Sequence, residues 1–143
     1  MTVMRAFVLV VLLAAGLAAG TAIFASTPPA KSLVNTLMQV PLADEFTPGR
    51  EVLVDLVQIA PNSSLDRHWH PGEEFHYYME GSVEIQLDGQ PSIIGKPGGV
   101  GHVPFKQWHR AVAGKQGAKI LVFRVHTKGE PWRYTEKDSA TVR

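Results

Sequence analysis

The sequence predicts an all-β domain, a barrel or jelly roll, and three observations carry that expectation. Thirteen glycines and ten prolines cut the chain into short segments of strand length. Ser82 to Leu87 alternates cleanly, with Val83, Ile85 and Leu87 on one face and Glu84 and Gln86 on the other. Helix signals are nearly absent, Lys31 to Met38 being the one weak candidate.

Taken in order, the chain opens with a short positive start, Met1 to Arg5. An uninterrupted apolar or small run without charge follows from Ala6 to Ala25. Residues 1–25 have the n-region and h-region of a secretory signal. The run is also long enough to cross a bilayer, so a membrane anchor is the other reading, and the membrane is a partner only if the segment is uncleaved. Either way the expected location is exported, periplasmic or extracellular. Residues 26–36, which include Ser26 to Lys31 (STPPAK), read as a linker. Residues 37–130 carry the strand pattern and residues 131–143 form a C-terminal tail; the closing Glu130 to Tyr134 segment, which spans that boundary, should pack against the outside of the barrel. Strands are expected at Arg50 to Ala60, Asp66 to His70, Glu74 to Glu80, Ser82 to Leu87, Pro91 to Ile94, Val100 to Phe105, His109 to Ala113 and Lys119 to His126. Asp88-Gly89 gives the strongest two-residue hairpin signal in the chain.

Composition narrows the function. Without Arg5 the basic and acidic residues balance at thirteen each, so nothing points to nucleic acid or to an anionic surface. Cysteine is absent. An exported domain of this kind is held by its core, and any metal it binds must be held by nitrogen and oxygen.

Two of the six histidines stand one residue apart in His68-Trp69-His70, followed by Pro71-Gly72 and then Glu73-Glu74. On a strand, His68 and His70 project to one side and Trp69 to the other. After the Pro-Gly turn, Glu74 can stand beside both imidazoles. Two nitrogens and one carboxylate oxygen suit a divalent first-row ion, and His109 is the choice for a third imidazole.

His68-x-His70-x-x-x-Glu74, with six residues from Glu74 to Gly81, resembles the first motif of the cupin superfamily. Gly98, five residues and then Pro104 to His109 is similar to its second motif. Gly99, Lys106 and Ala113 depart from that second pattern. The resemblance covers roughly Leu37 to Glu130 and matches the small single-domain type. It implies a double-stranded β-helix and one divalent transition-metal ion (Fe, Mn, Ni, Cu or Zn) held by His68, His70, Glu74 and His109. It also implies a homodimer packed through sheet faces. Glu74 fits the motif spacing; Glu73 falls one residue short and points the other way.

By the period of two, His76 and Tyr78 follow Glu74 into the pocket. His76 is the expected catalytic base, an imidazole suiting proton transfer near neutral pH, and Tyr78 the expected hydrogen-bond donor to substrate. Phe75, Tyr77 and Met79 face outward. Trp69 and Trp108 should pack, His102 should be a bland position (a place on the pocket rim is the other reading), and His126 should be exposed. Arg110 and Arg124 would meet an anionic substrate if they point inward. The expected function is a metal-dependent, dioxygenase-like enzyme acting on a small oxygen-rich or aromatic molecule. The alternative is a metal-dependent binding or sensing protein without turnover.

Overall fold

The computed structural model describes residues 31–140. The expected signal or anchor, residues 1–25, lies outside the described residues. No described helix is long and apolar enough to cross a membrane.

The described chain forms eight strands and one short helix. These are β1 (Leu33–Pro41), β2 (Arg50–Ile59), β3 (His68–Trp69), β4 (Gly72–Leu87), β5 (Ile93–Gly95), β6 (Val100–Val103), β7 (His109–Thr127), β8 (Tyr134–Thr135) and α1 (Glu136–Ala140). All pairings are antiparallel, and the sheet runs β1-β2-β7-β3-β8, with β4 pairing β5, β6 and β7. The mostly β, curled sheet matches the expected all-β class.

Four expectations change. The weak helix at Lys31 to Met38 is instead strand β1, which starts inside the stretch read as linker. Its backbone groups pair with β2 in register from Leu33↔Gln58 to Pro41↔Glu51, and such pairing overrides a marginal propensity. The segments Glu74 to Glu80 and Ser82 to Leu87 are one strand, β4, and His109 to Ala113 with Lys119 to His126 are also one, β7. Register shifts at Tyr78/Glu80 and Gly81/Val83 let β4 bend without ending. At the bend, Gly81 and Gly117 have φ of +70° and +75°, and a Cβ on Gly81 would sit 2.0 Å from the Gly117 carbonyl oxygen. Finally, Asp88-Gly89 does not close a two-residue hairpin, because β5 begins only at Ile93 and pairs as Ile85↔Ile93.

The two long strands and β2 set a gradient inside the curl. Inward positions of β2 run Glu51, Leu53, Asp55, Val57, Ile59, all buried. On β7 the antiparallel partners run His126, Arg124, Val122, Ile120, Ala118. On β4, Glu74 and His76 give way to Tyr78, Val83 and Ile85. One end of the interior is therefore an apolar core, with Val103, Ala111 and Ala113 completing it. The other end is polar and buried.

Candidate metal centre

The polar end is built by β3, β4 and β7. His68 pairs directly with His109 across β3 and β7, and His70 follows two residues on, so alternation aims all three imidazoles at one point. Each is nearly fully buried. One ligand nitrogen from each of His68, His70 and His109 lies within 4.8 Å of the others. Two nitrogens bound to one ion at about 2.1 Å each are at most about 4.2 Å apart, so a small closure completes the set.

Backbone carbonyls fix the ring orientations. His68 Nδ1 donates to the Asp66 carbonyl at 2.6 Å, His70 Nδ1 to Trp132 at 2.5 Å and His109 Nδ1 to Gln107 at 2.9 Å. A carbonyl only accepts, so each Nδ1 holds the proton and each Nε2 turns a lone pair to the centre. Burial, with neighbouring His109 and His70, lowers the His68 pKa to about 3. Burial likewise lowers His70. Both rings are neutral near pH 7, as metal ligands must be.

Glu74 completes the cluster. Its Oε2 lies 2.9 Å from His70 Nε2 and its Oε1 3.6 Å from His109 Nε2. Burial alone would raise the Glu74 carboxyl, but His70, Arg124 and His76 outweigh it and hold it well below its ordinary value. Of these only Arg124 carries a permanent charge. With the His70 proton on Nδ1, Nε2 is a buried atom without a hydrogen-bond partner, and it faces a carboxylate oxygen. Two acceptors at 2.9 Å repel unless a cation sits between or beside them. That opposition is the feature of this chain that fits a metal ion.

Around the cluster, Arg124 Nε donates to Glu74 Oε2 at 2.6 Å, and Arg124 Nη1 donates to Asp55. Asp55 in turn accepts from Thr36 Oγ1 at 2.7 Å. On the other side, His76 Nε2 donates to Glu74 Oε1 at 2.6 Å, and the Tyr78 hydroxyl donates to His76 Nδ1 at 3.1 Å. Burial, aided by Glu74, pushes the Tyr78 hydroxyl up to about 12, so it remains a donor. About 30 Å³ of space remains beside these groups, bounded by Trp132, Leu65 and the apolar core. That is room for about one or two waters.

His68, His70, Glu74, His109, His76 and Tyr78 are thus brought together at one buried end. Glu73 stays outside, bonded to exposed His102 at 2.7 Å. Trp69 stacks on Tyr134 at 4.3 Å, and Trp108 lies under Arg67 at 4.4 Å. Arg124 points inward, whereas Arg110 is exposed and bonds Gln86. His126 corrects the expectation of exposure: it is completely buried, because β7 continues its inward alternation through Arg124. Trp132 is a second correction. Though 37% exposed, it lines the cavity, its ring centroid 6.0 Å from that of His70. Asp55 was not singled out at all, though its place two residues from Val57 on β2 puts it on the inward face. Lys106 takes φ of +57°, so the loop adopts the glycine-like conformation in spite of its side chain. Its backbone N–H donates to the His70 carbonyl at 3.2 Å.

A cupin-domain family model matches residues 55–125, the stretch that carries the three histidines and Glu74. A cupin superfamily protein from Desulfitobacterium hafniense shares 24% identity, covers 71% of this chain and 83% of its own, and superposes with a TM-score of 0.53. A DMSP lyase from Ruegeria pomeroyi shares 18% identity over 61% of this chain and 44% of its own, with a TM-score of 0.56. An oxalate decarboxylase shares 15% over 82% of this chain and 35% of its own, also at 0.56. The chain thus spans less than half of either enzyme, and such identities speak for the fold alone. No curated protein matches the sequence. With the family model laid over the strands that carry the histidines, and solved cupins sharing the curl of the sheet, the chain belongs to the cupin superfamily.

Proposed function

We propose that this cupin domain is a metal-dependent enzyme of oxidative, dioxygenase-like type acting on a small oxygen-rich molecule. The observation that carries the reading is the His70 Nε2 lone pair opposed to Glu74 Oε2 at 2.9 Å, inside a convergent set of imidazoles. When bound, a divalent ion there supplies Lewis acidity and open positions for dioxygen or a chelating substrate. The chain's own groups set the rest. Arg124 uses Nε on Glu74 and Nη1 on Asp55. Arg124 offsets one of the two carboxylates, so a divalent ion leaves the chamber one positive charge in excess. That excess favours an anionic oxygen ligand. The small space beside the histidines favours a compact molecule over an aromatic ring, which would need Trp132 to move.

A second reading, binding or sensing without turnover, is favoured by one observation. His76 spends both nitrogens, one on Glu74 and one on Tyr78, so the expected catalytic base has no free lone pair. Elemental analysis of the native protein, followed by oxygen-uptake screening with small hydroxy acids and dicarboxylates, separates the two. Uptake dependent on the native metal is expected. Stoichiometric ligand binding without uptake would replace the enzyme by the binder.

The outer sheet face supports a homodimer. Phe75, Tyr77, Met79, Phe123 and Val100 are exposed and adjoin across β4, β6 and β7, through Phe75↔Phe123 and Tyr77↔Val100. Contiguous apolar surface of this kind marks an interface. Light scattering should give twice the chain mass, and Phe123→Glu should halve it. A monomeric wild type would end this part of the reading.

A further inference from the structure

A second cavity, of about 400 Å³, adjoins the histidine chamber across Val34 and Trp132, which line both. Glu51, Asp55 and Glu130 line it with Thr36 and Gln39, and none of the lining side chains is basic. Two of the carboxyls have their partners in place: Asp55 takes Arg124 and Thr36, and Glu130 accepts from the Tyr134 hydroxyl. Glu51 is different. It is buried, and its Oε2 accepts only the neutral amide of Gln39, at 2.9 Å.

Behind Glu51 stands His126, with no exposed surface. Its Nε2 lies 3.1 Å from the Pro131 carbonyl, which can only accept, so Nε2 holds the proton. Nδ1 then presents a lone pair. It has no hydrogen-bond partner and lies 3.6 Å from Glu51 Oε1. A buried polar atom without a partner calls for one. Glu51 lines the acidic cavity, and His126 stands behind it, outside the lining, where it supplies Glu51 no hydrogen bond. The chemistry that satisfies a buried carboxylate at such a wall is a cation bearing N–H donors.

We infer that this cavity is a subsite for the protonated primary amine of a ligand. The ammonium donates to the Glu51 carboxylate, and Trp132 stands between this cavity and the histidine chamber. That the ligand's other end is the oxygen group held at the histidines rests on the reading above; the amine subsite does not. A quaternary ammonium has the charge but no N–H, and a diol has donors but no charge, so neither should replace the amine.

The test is calorimetric titration of the full-length chain, metal-loaded and chelator-stripped, with ethanolamine, choline and ethylene glycol. Ethanolamine should bind saturably to both forms, at least tenfold more tightly than choline, and ethylene glycol should give no saturable heat. Glu51→Gln should weaken ethanolamine at least tenfold while the metal content stays unchanged. Equal binding of choline, unchanged binding to Glu51→Gln, or ethanolamine binding only to the metal-loaded form would each overturn the subsite. A second equivalent of divalent ion lost in Glu51→Gln would also overturn it, making the cavity a metal position. Should Glu51→Gln not fold, the wild-type preference for ethanolamine over choline decides.

Discussion

Replacing His68 or His70 with Ala is expected to abolish stoichiometric metal and to lower the Tm of the metal-loaded protein by on the order of 15 °C. The size follows from mass action: an ion at about a thousand times its Kd stabilises the folded chain by about 4 kcal/mol. For a domain of this length each kcal/mol is worth about 4 °C or more. The reason for the loss is geometric, since each histidine supplies one of the three nitrogens that converge among the described residues. The more searching part of the prediction concerns the stripped protein. Without metal, His70 Nε2 opposes a carboxylate oxygen at 2.9 Å, so wild type carries a repulsion that His70→Ala relieves. In chelator, the gap between wild type and His70→Ala should therefore shrink to about 1 kcal/mol or less. That residue reflects the cavity left behind and the lost bond to the Trp132 carbonyl. Full metal occupancy in the His68→Ala, His70→Ala double variant would rule the site out.

How much of this was legible before the structure depends on what each residue's neighbours revealed. The His68, His70, Glu74, His76 and Tyr78 side of the site follows from strand parity alone, because a period of two needs no long-range information. Arg124 and His126 have the same parity as Ile120 and Val122, but the opposite face of that strand carries Leu121, Phe123 and Val125. Both faces are apolar, so alternation shows which residues go together without showing which side is inside. On β2 the pattern is actively misleading. Val52, Val54 and Leu56 look like the core face, yet Glu51 and Asp55 are buried on the other. The inversion makes physical sense if the interior end holds a charged site and the exterior meets a partner. Trp132 was out of reach for another reason: it belongs to no periodic segment, and its place is set by a carbonyl contact to His70 across 62 residues. The same is true of β1, whose strand character comes from its pairing with β2 and not from its own sequence.

Arg124→Met is expected to destabilise the stripped protein by about 3–5 kcal/mol at pH 7. Arg124 is the one permanent cation between two buried carboxyls, Glu74 and Asp55, and removing one partner of a buried pair strands the other. Methionine keeps most of the volume, so the loss reports charge and not packing. The pH dependence gives the sharper reading. The His68 pKa is held down to about 3 and that of His70 is lowered, chiefly by burial, so below about pH 6.5 the unfolded chain binds protons that the folded chain does not. Glu74 is also held below its ordinary 4.5, which adds a second stage. Its contribution is fully present above about pH 4.5 and is lost as the pH falls through the folded-state value. Wild-type stability should thus decline in two steps on acidification. In Arg124→Met the burial of Glu74 is no longer opposed by a fixed positive charge, its carboxyl moves upward, and the second step should flatten or reverse. The difference between wild type and variant, read from urea midpoints, should accordingly be largest at pH 7 and shrink by pH 4. Glu74→Gln in the Arg124→Met background should cost much less than in wild type, since the two share one interaction. Glu73→Gln, on the exposed face, should stay within about 0.5 kcal/mol. Strict additivity of Arg124→Met and Glu74→Gln, or a wild-type-like acid profile in Arg124→Met, would show that Arg124 does not set the charge of Glu74.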